Sequence, residues 1–585
     1  MKQFKDPIYG YVCIPKTIVN DIIDTPEFQR LRYIKQTSYL PVYSAALHNR
    51  FVHSLGVYFL GRIASESLFR NSKDILEDCH INSDTKDFFQ LACLLHDVGH
   101  APFSHSGEGF YIDEKKTLHE KLKHAVGDAS FSDDLKYYHT NGKIAAPHEI
   151  MSVIVALERF VNFFGAVENR DFFARCITGY KYRDAENNTR HAVLNAFITL
   201  LNSSTIDVDR LDYLIRDAQV MGYNSISIDY HRLLESVTLV KVQDSDMHSP
   251  IQLAFRKSAL SVIENVIYAH DAEKKWIQNH PVIQYEVFLI QRTLVAVRSE
   301  YREKTGNELF SLESLSTNAH HKYMGNNFSA SDVINEIDKA IALVPDGDTK
   351  NDALEILKVV KRSINQMSNS AQISLLCDDD IIHLAKTTRQ YYAEELFNRG
   401  HRRHPVWKSE SEYKIYVDGY IGDETYDELQ SQIKILNKFL LEEAPNPSIN
   451  QDAIDYCKEK LGEIPDAAFS EADKTVMTKR YTILLNWLEM FSKVRESQNL
   501  RFFDFLIIPT SKFESGFKKE DLSNTPIYFP ESGKTQPLGK LINLFTTKDT
   551  VRHMFFYVYY RKANGEMIDA QQVGREIAKL VLNKP

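Results

Sequence analysis

An apolar run, Leu91–Ala92–Cys93–Leu94–Leu95, leads straight into His96 and Asp97, and this juxtaposition constrains the fold more than any other feature of the chain. Such a run belongs in a core, so the imidazole and carboxylate that follow are drawn inside with it. A buried carboxylate without a partner is strongly unfavourable. A bound metal would resolve that, and so would an arginine; the residues alone leave both open. The segment goes on through Gly99, His100, Ala101, Pro102, His105 and Glu108, placing three histidines and two carboxylates on one helix end and the turn after it. Pro102 cannot extend a helix and restricts Ala101, which predicts that the helix closes at Gly99–Pro102. On such a helix His96 and His100 stand four apart and face one side. Adjacent His96 and Asp97 diverge by about 100°, so convergence on one ion requires ligands from other helices.

Two distant residues are candidates for that role. His53 lies on a helix opened by Asn49–Arg50–Phe51, with Gly56 small enough to let another helix approach. Asp209 lies in the run Ile206–Tyr213. Two imidazoles with two carboxylates form a mixed nitrogen and oxygen set suited to Mn, Fe, Zn or Ni, with Mg as a further candidate, and leave positions for water and a phosphate oxygen. A structural zinc site would instead be closed and cysteine-rich. The six cysteines (Cys13, Cys79, Cys93, Cys176, Cys377 and Cys457) are scattered without a C-x-x-C pair, so neither a disulfide framework nor a thiolate zinc site is expected.

At 585 residues the chain exceeds what one compact core accommodates. Apolar positions recur at three- and four-residue spacing through residues 1–290, predicting a helical body. Residues 291–499 keep the helical pattern with more charge, as in Asp352–Lys361. The character changes over 500–585. Phe502–Ile508 and Met554–Tyr560 are aromatic and β-branched, as strands are, and a helix is expected over Ala570–Leu582. The fold class expected is therefore mainly α, with a small C-terminal α+β lobe. A net charge of −9, from 70 basic and 79 acidic side chains, offers no clustered basic footprint for duplex DNA. No apolar run approaches the roughly 20 residues needed to span a bilayer, and the N-terminus lacks a signal-peptide pattern, so a cytoplasmic location is expected.

His53, then His96–Asp97, then Asp209 resembles the H…HD…D signature of the HD superfamily. More closely, the chain resembles the deoxynucleoside triphosphate triphosphohydrolases of that superfamily, through Asp6–Gly10, Ile23–Gln36, His48–Val57, Leu95–Glu108 and Ile206–Asp217. The resemblance is dense over the first 220 residues and looser beyond, although the C-terminal lobe is similar to that family's regulatory lobe. It implies an HD-domain helical body with an N-terminal regulatory segment. It also implies a divalent metal on His53, His96, Asp97 and Asp209, and hydrolysis of a dNTP to deoxynucleoside and triphosphate.

By the same matching, His105 is the general acid or base with Glu108 as its carboxylate, and His100 and His148 contact phosphate. The i and i+3 spacing of His105 and Glu108 independently suits a carboxylate that orients a proton-carrying imidazole. The family pattern also puts Arg50 on phosphate, lines the substrate pocket with Arg210, Tyr213 and Asp217, and sets Asp217 and Gln36 near the sugar 3′-hydroxyl. Asp24, Gln29 and Arg32 match positions that read a guanine base at an allosteric nucleotide site between subunits, which implies a homo-oligomer, a tetramer in the family. Arg402 and Arg403 are candidates for the activator's phosphates, with a solvated basic loop as the alternative. Asp207 and Asp212 are accounted for as helix caps or surface charges. The chain departs from the pattern in Lys274–Pro281, where no tyrosine stands in register to exclude a ribose 2′-hydroxyl. Such an enzyme would serve nucleotide homeostasis or defence against phage or virus. Two rivals share these features: an HD phosphohydrolase for another phosphoester, such as a cyclic nucleotide or single-stranded nucleic acid, and a non-catalytic nucleotide sensor.

Overall fold

The computed structural model describes residues 1–108, 115–223, 227–241, 250–306, 309, 339, 354, 376–387, 391–417, 421, 425–440, 450–467, 469–500, 504–509, 519–542, 556–562 and 566–582. Asp352–Lys361 lies outside the described residues apart from its residue 354, which is helical. The architecture is mainly α, as the periodicity predicts.

The chain opens with an antiparallel hairpin, β1 (Lys2–Asp6) and β2 (Gly10–Ile14). Four helices then frame the body: α1 (Arg50–Asn71), α2 (Ser83–Leu95), α3 (Pro147–Arg159) and α4 (Val208–Met221). Asn49 caps α1 by accepting the Val52 N–H at 3.2 Å, and Asp207 caps α4 by accepting from the Arg210 N–H at 2.8 Å. Gly56 does allow close approach, because a Cβ there would collide with the Asp212 carboxylate and the Arg216 guanidinium of α4. Gly99 acts likewise toward α3: an added Cβ would run into the backbone between Met151 and Ser152, and its N–H donates to Ser152 Oγ at 2.9 Å.

Strands β3 (Val237–Lys241) and β4 (Ile251–Arg256) form a second hairpin beside this body. The long helix α5 (Pro281–Thr305) leads away from it, and α6 (Asp378–Thr387) packs back against α5. The residues expected to build one C-terminal lobe divide between two sheets. The short β5 (His404–Pro405) and β6 (Phe505–Pro509) flank β9 (Phe556–Tyr560) in a three-stranded sheet. By contrast, β7 (Pro526–Phe529) and β8 (Lys534–Pro537) extend the hairpin of the body, β7 running parallel to β4 with Phe255 opposite Ile527. Burial follows the same division. Leu522, Ile527, Leu538 and Ile542 join the core of the body, whereas Phe505–Ile508 and Phe556–Tyr560 close a second core with Trp407 and Trp487. The terminal helix α7 (Ala570–Val581) covers that second core through Val573 and Ile577.

Helix α2 ends at Leu95, four residues short of the predicted stop. Val98 N–H bonds Leu95 O at 3.2 Å and His100 N–H bonds Asp97 O at 3.0 Å, so residues 96–100 form tight turns rather than α-helix. The expectation that His96 and His100 share one helical face is corrected accordingly. All six cysteines are free thiols. No described helix is long and apolar enough to cross a membrane.

Candidate metal centre and an adjoining histidine cluster

Three elements deliver four donors to one point: α1 brings His53, the turn after α2 brings His96 and Asp97, and the first turn of α4 brings Asp209. His53 Nε2 lies 3.3 Å from His96 Nε2, 3.0 Å from Asp209 Oδ1 and 3.5 Å from Asp97 Oδ2. His96 Nε2 lies 3.4 Å from Asp97 Oδ2 and 3.6 Å from Asp209 Oδ1. An ion held about 2.0–2.2 Å from each of its donors needs neighbouring donors about 3.0–3.5 Å apart. The separations fit.

The outer ring nitrogens explain why the inner ones face each other. His53 Nδ1 donates to Asp212 Oδ2 at 2.7 Å, and His96 Nδ1 donates to the Cys93 carbonyl at 2.9 Å. With the protons on Nδ1, two imidazole lone pairs and two carboxylate oxygens face one small volume, an arrangement that suits a cation. Arg50 takes part as well, its Nη1 lying 2.7 Å from Asp97 Oδ2. The alternative of an arginine partner for Asp97 is thus realised, but it does nothing for the facing lone pairs. Burial opposes charge on His53, yet Asp209, Asp212 and Asp97 outweigh it and push its pKa up to about 9. Against the same burial, Arg50, His96 and His53 hold Asp97 well below the carboxylate range, and His53 and His96 do so for Asp209. The whole pocket is poised for positive charge. Asp209 alone of the four is open, its side chain 39% exposed, so approach is from its side.

Asp212 is the residue of this centre that sequence reasoning missed. It lies fully buried one turn after Asp209 and accepts from Tyr9 Oη at 2.7 Å and from Arg216 Nε and Nη2 at 2.9 and 3.0 Å. Arg216 in turn reaches Asp6 at 3.0 Å. The i, i+3 spacing of Asp209 and Asp212, followed by Arg216 at i+4 from Asp212, was the available signal. Asp207 is the cap expected of it.

A second cluster adjoins the first. Glu108 Oε1 lies 2.8 Å from His105 Nδ1, 2.9 Å from His148 Nδ1 and 3.6 Å from His100 Nε2. His100 stacks on His148 with ring centres 4.4 Å apart, and its Nε2 is 3.8 Å from Asp97 Oδ1, so it bridges the clusters. Neither nitrogen of the buried His100 has a hydrogen-bond partner among the described residues. Burial, together with the charges of Arg50, His148 and His105, drives its pKa well below the ordinary imidazole value. Burial also opposes charge on His148, but Glu108 lifts it to about 9, while His148 and His105 hold Glu108 well below its ordinary value. His105 stands in the open, 67% exposed. The donor atoms of His100, His105, Glu108 and His148 lie within 4.8 Å of one another, as do those of His53, His96 and Asp209, so either group has the spacing to hold an ion. The second differs in that Glu108 is already bound to two imidazoles.

The other expected site residues fall into three places. Arg50 is buried between Ser104 Oγ (3.0 Å from Nε) and Asp97, with Nη2 unpartnered among the described residues. Asp217 is buried on α4 against His48, 2.6 Å from its Nε2. Glu273 hydrogen-bonds to Asp217 as well, and burial with that neighbouring charge raises the Glu273 pKa well above its ordinary value. Tyr39 reaches Glu273 at 3.4 Å. Sequence reasoning had not singled out His48, Tyr39 or Glu273. Tyr213 lies one turn before Asp217, and Gln36 is buried with Oε1 unpartnered among the described residues. Arg210 turns its Nη1 to the Thr205 carbonyl at 2.7 Å and lies 3.5 Å from Asp207. Asp24, Gln29 and Arg32 contact the β1–β2 hairpin, one another and the start of α1. Asp24 pairs with Lys2 at 3.5 Å, Gln29 Oε1 accepts from Arg32 Nε at 2.8 Å, and the Arg32 guanidinium lies 3.5 Å from the Phe51 ring centre. Arg403 is buried on Glu395 (2.9 Å) and the Tyr285 hydroxyl (2.8 Å), and Arg402 pairs with Glu286 at 2.6 Å. Both arginines therefore already hold structural partners.

Residues 50–163 match the HD domain family, a stretch that contains every residue of both clusters except Asp209. The chain is 32% identical over 254 residues to deoxynucleoside triphosphate triphosphohydrolase SAMHD1 of Xenopus laevis, covering 41% of this chain and 38% of that one. It is 29% identical over 300 residues to the protein YwfO of Bacillus subtilis, covering 50% and 55% respectively. The chain therefore spans between about two-fifths and just over half of the length of these relatives. A crystal structure of a phosphohydrolase from Bacteroides thetaiotaomicron shares the fold across 96% of this chain and 100% of its own, with a TM-score of 0.51 and 17% identity. Residues 50–163 thus carry an HD domain, and about two-fifths of the chain is similar in sequence to deoxynucleoside triphosphate triphosphohydrolases.

Proposed function

We propose that the protein is a metal-dependent dNTP triphosphohydrolase, releasing deoxynucleoside and inorganic triphosphate. The observation that carries this reading is the bridging of two unlike clusters by His100: one shaped for a cation, the other for handling protons beside anions. His53, His96, Asp97 and Asp209 would hold the divalent ion, which supplies Lewis-acid polarisation of the phosphate and activation of water. Mn, Fe, Zn, Ni and Mg all suit such a donor set in kind.

The chain's own residues account for the rest. His148, cationic at neutral pH through Glu108, and the unpartnered Nη2 of Arg50 offset the charge of the triphosphate. The neutral, buried His100 lies between them as a donor or acceptor to phosphate oxygen. His105, oriented through Nδ1 by Glu108, keeps Nε2 free to deliver a proton to the 5′ oxygen as its bond to the α-phosphorus breaks. Asp217 and Gln36 would bind the 3′-hydroxyl, and Tyr213 and Arg210 the rest of the nucleoside face. Asp24, Gln29 and Arg32 form a separate polar patch, which supports reading it as the site of an activating guanine nucleotide between subunits of a homo-oligomer, a tetramer in this reading. Lowering of dNTP pools, for homeostasis or antiphage or antiviral defence, is the corresponding role.

The test is a matrix of each dNTP and NTP as substrate against each as activator, with Mn or Mg, resolving products by chromatography. Inorganic triphosphate must appear from at least one deoxynucleotide. With cyclic nucleotides and single-stranded nucleic acid added to the panel, turnover of those alone would favour another phosphoester substrate, and turnover of none a sensor.

A further inference from the structure

The loop that carries His100, His105 and Glu108 is held from outside the HD domain. Phe103 and Ser104 both adopt left-handed backbone conformations, with φ of 59° and 53°, which non-glycine residues rarely hold without support. The support is a buried carboxylate on a distant segment. Asp378, 2% exposed at the start of α6, accepts the Phe103 N–H through Oδ1 at 2.6 Å and the Lys35 N–H through Oδ2 at 3.0 Å. The Phe103 side chain packs into a cluster made by α5 and α6, with Leu294, Val297, Leu376 and Ile381. Arg30 adds a second tie. Its Nε donates to the Leu376 carbonyl at 2.8 Å and its Nη1 to the Val98 carbonyl at 3.3 Å, while Nη2 donates to the His100 carbonyl. Ser104 Oγ closes the knot by bonding the Lys35 carbonyl and accepting from Arg50.

Each oxygen of one carboxylate thus fixes one strand of the pocket: Lys35, next to Gln36, and Phe103, two residues before His105. We propose that Asp378 is a positioning residue for the hydrolytic reaction, setting the aim of the His105–Glu108 pair from a segment that follows the HD domain by more than two hundred residues. The inference rests on the dNTP-hydrolase reading for its kinetic arm only. Removing Asp378 leaves two half-buried N–H groups without their acceptor and releases the left-handed turn, while none of the ion-type donors touches it. Misplacing a reacting group by about 1 Å is enough to lower a rate about 100-fold.

The experiment uses the full chain with Asp378→Ala and Asp378→Asn, the latter retaining one acceptor. In Asp378→Ala, kcat is expected to fall by about 10- to 100-fold with bound metal unchanged, and Asp378→Asn to fall between it and wild type. In a His105→Ala background, Asp378→Ala should reduce kcat by much less than in wild type, because the two act largely on one step. A fold-wide structural role would instead give an additive loss. Amide exchange is the arm independent of activity: peptides over 33–37 and 98–106 should exchange faster in Asp378→Ala, with the peptide over 55–65 unchanged. If Asp378→Ala does not fold, the same measurements on Asp378→Asn decide. Additive kinetics or unaltered exchange at 33–37 and 98–106 overturns the proposal. If wild type yields no triphosphate, the reading of the reaction fails, and the exchange arm alone judges the role of Asp378.

Discussion

The two histidine clusters meet where His100 of the second approaches Asp97 of the first, and they are built on opposite rules. In the first, every outer nitrogen is tied down: His53 to Asp212, His96 to Cys93, with Asp212 itself held by Tyr9 and Arg216. In the second, one carboxylate serves two imidazoles, a third imidazole has no hydrogen bond among the described residues, and His105 faces solvent. Outer satisfaction fixes both rings with their inner nitrogens facing the two carboxylates, which is how a binding site is made rigid. Partial satisfaction in the second leaves groups able to change partners and protons, as a reaction step requires. One region is organised to hold and the other to act.

That contrast is broken most severely at the open donor. Asp209→Ala should abolish hydrolysis, by about three orders of magnitude or more, since ion-dependent activation contributes several kcal/mol; steady-state assays with excess Mn would check this. Glu108→Gln should lower kcat by about 10²-fold with the metal retained, because His105 loses its orienting carboxylate. Equal losses of metal and rate in that variant would erase the distinction between the clusters. Asp212→Asn should weaken metal binding about 10- to 100-fold while leaving kcat at saturating metal nearly intact; Mn titration separates the two quantities.

The smallest expected effect is in pH. The pKa of His148 is raised by Glu108 to about 9, above the ordinary value of 6.5. Its stabilising pairing is therefore fully present below pH 6.5 and fades as pH rises through about 9. Triphosphate binding should weaken over the same rise, seen as KM climbing above about pH 9, and in Glu108→Gln the climb should begin at lower pH.

How much of this was legible in sequence depends on the distance over which each contact acts. His53, His96, Asp97 and Asp209 stood out because an apolar run forces a His–Asp pair inward, and because their pattern resembles a known signature. The predicted helix stop at Gly99–Pro102 was four residues late: the turns at 96–100 are set by tertiary contacts, among them Gly99 against α3. Asp212 read as a surface charge because its partners, Tyr9 and Asp6 through Arg216, lie some two hundred residues away. Residues 500–585 read as one lobe because strand propensity does not say which sheet a strand joins; β7 pairs with β4 rather than with β6 or β9. Asp378 carries no motif at all, and its role appears only when the chain has folded back on Phe103.

Metal content of the purified protein tests the centre most directly. Wild type and a His96→Ala, Asp97→Ala double variant are loaded with Mn, dialysed together and measured by elemental analysis. The geometry predicts about one tightly held ion per wild-type chain and close to none in the variant. Equal metal in both would contradict it, whatever activity the wild type displays.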